Sequence, residues 1–321
     1  MTVRRTRLAV TLGDPRGIGP EVAAAAGRGL GAERDRLHLV FIGPRGTAAE
    51  AAGDEFVPIG DWDGATGGVA EAGRLAGLAI ERAARMALEG AVDGIVTGPI
   101  DKAALNAGGF PYPGHTEMLA ELAGGVPVAM LMAAERTALG GPLRVVLATT
   151  HVRLADVPVV LTVERVVEQT RLTDRGLRSA WGLDRPRIAL CAVNPHASDG
   201  GLFGDEEARI LEPALGILRA EGVSVAGPIP ADTVFVRAIR GEFDAVVAPY
   251  HDVGMAAFKT ASFGSGVNVT LGLPFIRTSP DHGTALDIAG RGLADPSSML
   301  EAIRLAAKLA SQRASDSSTG R

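Results

Sequence analysis

The sequence predicts a soluble α/β protein of two lobes, and three observations carry that expectation. Short apolar runs of strand length alternate with helix-length segments along the chain, the pattern of sheets with helical crossovers. The chain has 321 residues, 46% of them hydrophobic, which is more than one comfortable core holds. Several of the strand-length runs end in a turn marked by Gly, Pro, Thr or Asp that also carries a histidine, and in open α/β sheets ligands bind beyond the carboxyl ends of strands.

Leu8 to Leu12 is the first strand. It runs into Gly13-Asp14-Pro15-Arg16-Gly17-Ile18-Gly19-Pro20-Glu21, and Val22 to Leu30 follows as helix. A strand, a glycine-rich turn and a helix N-terminus make an anion site. The same pattern also serves as a plain tight connection, and its spacing is not the GxGxxG dinucleotide fingerprint. Leu37 to Ile42 is the second strand, 56–68 is loop or edge, and Val69 to Glu89 is a helix by its 3- and 4-residue apolar spacing. Gly94 to Thr97 is the third strand, ending in Thr97-Gly98-Pro99-Ile100-Asp101-Lys102 before a short helix from Ala103. The loop FPYPGHTE, Phe110 to Glu117, is fixed by two prolines and a glycine and presents His115, Thr116 and Glu117. His115 equally fits a capping position before a helix over Met118 to Ala123.

Pro127 to Ala133 and Leu143 to Thr149 are strands, the second running into Thr150 and His151. Val163 to Trp181 is a helix with Thr162 as its cap. The strand Arg187 to Val193 ends in Asn194-Pro195-His196, followed by a glycine-rich loop over 198–204 and a helix from Asp205 to Glu221. Val223 to Gly227 is a short strand, Val234 to Ile239 a helix, and Phe243 to Pro249 a strand. That last strand delivers the stretch APYHDVGMAAFK, which sets His251, Asp252 and Lys259 within nine positions, with Gly254 as a hinge between them. Gly266 to Gly272 is β-rich and precedes LPFIRTSPDHGTA, bearing Arg277, Asp281 and His282. Ser297 to Ala310 is the final amphipathic helix, and the polar stretch 311–321 is expected to be a disordered tail.

Composition removes several function classes. The formal net charge is -5 and no basic stripe is visible, so nucleic acid is not an expected partner. Cys191 is the single cysteine, which precludes a disulfide within the chain and fits a reducing, cytoplasmic compartment. The apolar run at the N-terminus is too short for a signal-peptide core, and charge interrupts every run before it reaches membrane-spanning length.

Five of the six histidines lie beside Gly, Pro, Thr or Asp at strand ends or in loops; His38 sits in an apolar run and reads as structural. His151, His196 and His251 each follow a strand, so the sheet can bring them together, and three imidazoles suit Zn²⁺, Co²⁺, Mn²⁺ or Ni²⁺. No HExxH or CxxC is present, so local spacing leaves a plain strand-end role open. Lys259, Asn268 and Arg277 follow at nine-residue intervals and can supply two cations and an amide to a phosphate or carboxylate; surface charge is the alternative. Arg277 sits in an apolar run, where an unpaired charge is costly, which favours a partner anion.

The motifs GDPRGIGPE, TGPIDKAAL, YPGHTE, TTHVRLADVP, NPHASDGGLFGDEE, PADTVF, YHDVGMAAFK and VNVTLGLPFIRTSPDHGTALDIAGRGLAD, in this order, resemble the 4-hydroxythreonine-4-phosphate dehydrogenase family from about Leu8 to Ile303. The resemblance implies a two-lobed fold like that of the isocitrate and isopropylmalate dehydrogenases: mostly parallel sheets flanked by helices, and an active site in the cleft between lobes. By that analogy one lobe comprises 1–122 and 278–321 and the other 123–277, which holds the metal ligands and the dimer interface. It further implies a homodimer with shared active sites, with one metal ligand contributed across the dimer. By match of motif, His151, His196 and His251 are divalent-metal ligands (Zn²⁺, Mg²⁺, Co²⁺, Mn²⁺ or Ni²⁺). His115, Thr116, Lys259, Asn268 and Arg277 contact the substrate, and Asp232 lies near its phosphate end. The implied reaction is metal-dependent oxidation by NAD or NADP of 4-hydroxy-L-threonine 4-phosphate to a 3-keto acid, which decarboxylates to 3-amino-2-oxopropyl phosphate for pyridoxal phosphate. Asp252 is placed for proton transfer and Lys259 for stabilising charge on the reacting oxygen. Oxidation of 4-phospho-D-threonate or 4-phospho-D-erythronate is the alternative. Asp101, Val253 and Ala257 depart from the family's usual residues, Asn or Ser, Gln, and Pro respectively, and bear on which substrate is used.

Overall fold

The computed structural model describes residues 4–318. The chain divides into two compact units, the first formed by Met1–Pro127 with Val267–Arg321 and the second by Val128–Gly266.

The first unit opens with β1 (Thr6–Thr11), α1 (Gly19–Gly29), β2 (Leu37–Arg45) and β3 (Glu55–Asp61), then α2 (Val69–Leu88), β4 (Gly94–Thr97), α3 (Lys102–Ala107) and α4 (His115–Leu122). The second unit contains β5 (Ala129–Ala134), β6 (Leu143–Leu147), α5 (Val157–Val160), α6 (Val163–Trp181) and β7 (Ile188–Cys191). It continues with α7 (Glu212–Ala220), β8 (Val225–Ile229), α8 (Ala231–Ile239), β9 (Ala245–Ala248) and α9 (His251–Ser262). The chain then completes the first unit with β10 (Val267–Leu271), β11 (Ile276–Pro280) and α10 (Ser297–Ser318).

In the first unit the strands lie in the order β3-β2-β1-β4-β11-β10. All its pairings are parallel except β10 with β11. Leu8, Ala9 and Val10 of β1 are fully buried, as a central parallel strand covered on both faces requires. Helices α2 and α10 pack on this sheet, with α3 and α4 against α2 and α1 against α10. The buried stripe of α2 (Ala72, Leu75, Ala76, Ala79, Ile80, Ala83) keeps helical spacing. Gly73 lets α3 cross closely, since a Cβ there would stand 1.7 Å from the Ala104 carbonyl oxygen.

In the second unit the order is β5-β6-β9-β7-β8. Only the β5–β6 pairing is antiparallel. Val145, Leu147, Ala189, Val246, Ala248, Phe235 and Phe258 form its apolar core. Strands β6, β9 and β7 are parallel neighbours, so their carboxyl ends open on the same side.

β11 pairs in parallel with β4, Arg277 opposite Ile95, so Asn268 and Arg277 lie in the first unit, which the chain leaves after Pro127 and re-enters at Val267. Other expectations are corrected. Gly254 is not a hinge. It lies inside α9, and a Cβ there would come within 2.7 Å of Leu147 Cδ2 and 3.0 Å of Ala248 Cβ, so its absence lets the helix lie close on β6 and β9. The helix expected over 205–221 opens with a π turn at Glu207–Leu211, and α7 begins only at Glu212. The expected tail is helical through Ser318 as part of α10; residues 319–321 lie outside the described residues. The glycine-rich turn after β1 is filled from within. Buried Asp14 accepts hydrogen bonds from Arg16 Nε at 3.0 Å and Arg16 Nη2 at 2.6 Å, which makes it a tight βα connection.

Candidate active site

The second unit brings two of its histidines together through sheet register. Leu147 of β6 lies opposite Ala248 of β9, and the pairing continues past both strands, with Ala148 N donating to Ala248 O at 2.8 Å and Thr149 Oγ1 to Pro249 O at 2.8 Å. His151 and His251 therefore leave adjacent strands at nearly the same level. Their ring centroids are 5.8 Å apart at an interplanar angle of 39°. They share a cavity of about 130 Å³ with Thr150, Tyr250 and Asp252.

His251 opens α9, and its Nδ1 lies 2.7 Å from Asp252 Oδ1. An ionised carboxylate only accepts, so the proton sits on Nδ1 and the Nε2 lone pair is left for a ligand. A carboxylate fixing the tautomer of a histidine is the usual support of a metal-binding imidazole. The chemistry of the two imidazoles fits a divalent transition metal. Among the described residues no group of three or more His, Cys, Asp and Glu side chains converges on one metal position. His196 is exposed in the loop after β7 and stands outside the pair. Its loop is unusual: His196, Ala197, Ser198, Asp199 and Gly200 all have positive φ, between 44° and 68°. Left-handed backbone costs about 1–2 kcal/mol for each non-glycine residue, so this turn is held against its preference.

Lys259 lies two turns beyond Asp252 on α9 and is exposed. Asp232 is exposed in the first turn of α8, where its charge complements the helix N-terminus. Val253 and Ala257 are half-buried and pack against the core under α9.

The first unit holds a second constellation around Arg277. This side chain is 2% exposed. Its Nη1 donates to Thr270 Oγ1 at 3.0 Å and its Nη2 to Thr97 Oγ1 at 2.6 Å. Neither partner carries charge, and Nε has no hydrogen-bond partner among the described residues. Burial pushes the guanidinium pKa down to about 10, against the favourable charge of Glu117, so it stays protonated at neutral pH. Asn268 faces Ser279 across the β10–β11 pair. It lies two residues from Thr270, hence on the same face, and its Oδ1 is buried without a partner. His115, in the first turn of α4 and not before it, has its Nε2 buried and equally unpartnered. Desolvation first, then the positive charges of Arg277 and Lys102, hold its pKa well below the usual 6.5, so its ring is neutral. Thr116 follows it, half-buried.

A buried cation hydrogen-bonded only to neutral hydroxyls, with Glu117 as its nearby negative charge, and two orphaned buried polar atoms describe a site shaped for an anionic, hydroxyl-bearing ligand. Three participants went unassigned in the sequence. Thr97 and Thr270 anchor Arg277, and period-two alternation from Asn268 would have found Thr270. Lys102 bears on His115 and sits in the TGPIDK run. Asp101 caps α3, its Oδ1 accepting from Ala104 N at 2.9 Å; Asp, Asn and Ser all serve as caps, so its departure from the family residue is accounted for locally.

The pyridoxal phosphate biosynthetic protein PdxA family matches residues 49–306. A 4-hydroxythreonine-4-phosphate dehydrogenase from Paracoccus denitrificans is 44% identical over 95% of this chain and 98% of its own length. The crystal structure of a 4-hydroxythreonine-4-phosphate dehydrogenase from Klebsiella pneumoniae superposes with TM-score 0.84 at 41% identity, over 95% of this chain and 99% of that one. An isocitrate dehydrogenase from Methylococcus capsulatus, 16% identical with TM-score 0.51 over 96% of this chain and 87% of that one, shares the fold.

Proposed function

The chain belongs to the pyridoxal phosphate biosynthetic protein PdxA family, and on that premise we propose that it oxidises 4-hydroxy-L-threonine 4-phosphate with NAD or NADP. The product is the 3-keto acid that loses CO₂ to give 3-amino-2-oxopropyl phosphate. The observation that carries this reading is Arg277: a fully buried guanidinium facing neutral hydroxyls, as an anionic substrate needs. Relatives of nearly equal length carry the matching name, which favours this substrate over the phosphorylated threonate and erythronate.

Arg277, Asn268, His115 and Thr116 bind and orient the substrate. Neutral His115 exchanges a hydrogen bond with a substrate hydroxyl. His151 and His251 would hold the divalent metal, and His196 would complete the set from the second subunit of a homodimer, a reading supported by the pairing of only His151 with His251 among the described residues. When bound, the metal would supply polarisation of the substrate hydroxyl and NAD(P)⁺ would supply the hydride acceptor. Asp252 keeps His251 in its ligating tautomer, and its exposed carboxylate passes the hydroxyl proton to solvent. Lys259 stabilises negative charge on the reacting oxygen. No helix among the described residues is long and apolar enough to cross a membrane, and a cytoplasmic location suits the reaction. The test is a substrate panel following NAD(P)H formation with 4-hydroxythreonine 4-phosphate, 4-phospho-D-threonate and 4-phospho-D-erythronate. The first should give the highest kcat/KM; a clear preference for either sugar acid would overturn the substrate assignment.

A further inference from the structure

The loop that presents His196 is held by one buried carboxylate that no part of the reaction uses. Glu207 is 2% exposed. Its Oε1 accepts from Val193 N at 2.8 Å and Asn194 N at 2.7 Å, and its Oε2 from Asn194 Nδ2 at 2.9 Å. Ser198 Oγ donates to the same Oε2. The four donors flank His196 on both sides in sequence. Between them the chain makes its left-handed turn, in which four of five residues are not glycine. Such a turn persists only where its surroundings over-determine it.

The local architecture serves that carboxylate. Glu207 is the first residue of the π turn that leads into α7, and such turns frequently mark functional positions. Asn194 Nδ2 also donates to Glu206 Oε2 at 2.7 Å. Gly204, at φ 133°, leaves room for this, since a Cβ there would lie 2.6 Å from Glu206 Oε2 and 2.8 Å from Asn194 Nδ2. The second acid of the pair and the glycine therefore close the frame around Asn194, while Glu207 alone reaches across to Ser198. A carboxylate with four donors is fully satisfied, and an apolar residue in its place would leave the Val193 and Asn194 N–H groups without this acceptor.

We propose that Glu207 is a positioning residue that fixes the left-handed 196–200 turn and so sets the direction in which His196 offers its imidazole to a divalent metal. This rests on the metal reading of His196 given above. The Glu207→Gln variant keeps the volume but turns an NH₂ group toward donors, breaking one half of the frame. Ser198→Ala removes a single bond and serves where Glu207→Gln does not fold.

The full-length protein, stripped of metal, is titrated with Co²⁺ alone and followed by visible absorption, and hydrogen exchange is measured over peptides spanning 194–204. His196→Ala is carried in parallel. Expected for Glu207→Gln are faster exchange in that segment, Co²⁺ affinity lower by about 10- to 100-fold, and an altered visible band. Ser198→Ala should move all three in the same direction by less. Unchanged exchange in a folded variant overturns the proposal. So does faster exchange with wild-type Co²⁺ affinity while His196→Ala has lost it, because positioning would then be dispensable. If His196→Ala itself binds Co²⁺ as the wild type does, the metal reading has failed, and the role of Glu207 falls with it for that separate, identifiable reason.

Discussion

Replacing Arg277 by methionine separates a ligand-binding role from a structural one. Burial lowers the guanidinium pKa to about 10, a fall from its usual value that corresponds to ~3 kcal/mol for keeping the charge in its buried site. Hydrogen bonds from a charged group return about 1.5–3 kcal/mol each, and Arg277 makes one to Thr97 and one to Thr270. The two contributions are similar, and methionine fills much of the volume, so the ligand-free Arg277→Met protein should unfold within about 1.5 kcal/mol of wild type. Anion binding should respond differently. Phosphate at a hundred times its Kd protects the wild type by about 2.7 kcal/mol. Losing a buried charge pair costs about 2–5 kcal/mol of affinity. A hundredfold weaker site at the same phosphate concentration then protects by only about 0.4 kcal/mol. Urea unfolding of both proteins, with and without inorganic phosphate, measures all four quantities. A variant that loses more than about 3 kcal/mol without phosphate, and that phosphate still protects as it does the wild type, would refute the anion-site reasoning.

Other substitutions test the remaining geometry. Unfolded His115 titrates near 6.5 and the folded residue well below it. As pH falls through 6.5 the unfolded chain gains a proton that the ligand-free fold does not, and stability should drop by up to about 1.4 kcal/mol per pH unit, a dependence that His115→Asn removes in pH-resolved urea titrations. Gly254→Ala forces a Cβ against Leu147 and Ala248; it should cost about 1–3 kcal/mol in thermal unfolding and weaken Co²⁺ binding by displacing the start of α9. Asp101→Asn preserves the α3 cap and should leave kcat/KM unchanged, whereas Asp101→Ala should lose about 1 kcal/mol of stability; a change of substrate preference in the Asn variant would return this position to the site.

Much of the fold could be read in the sequence where local signals and tertiary context agree. Gly94–Thr97 is β4 as expected, and Thr162 caps α6, its hydroxyl accepting from Arg165 N at 3.2 Å. The histidines after β6 and β9 were recognisable because strand ends punctuated by Thr, Pro and Tyr place polar groups where parallel sheets bind ligands. What escaped depends on contacts far apart in sequence. Gly254 resembles a hinge in isolation and becomes a packing glycine only once β6 lies under α9. β11 hides in an apolar run whose partner, β4, is 180 residues away at the Arg277–Thr97 contact. Glu207 was one acid in an acidic helix start until the π turn aimed it back at the His196 loop. Strand-end positions suggested the grouping of His196 with His151 and His251 and the family resemblance repeats it, but among the described residues register brings together only His151 and His251.

The most direct measurement is NAD(P)H formation from 4-hydroxythreonine 4-phosphate by the purified protein before chelation, after chelation and after metal is restored, with the His251→Ala variant alongside. Turnover should be lost on chelation, return with a divalent transition metal, and be absent in a folded His251→Ala protein that no longer binds Co²⁺. Undiminished turnover by the chelated enzyme, or an active His251→Ala variant, would contradict the metal-dependent dehydrogenase built on the paired histidines.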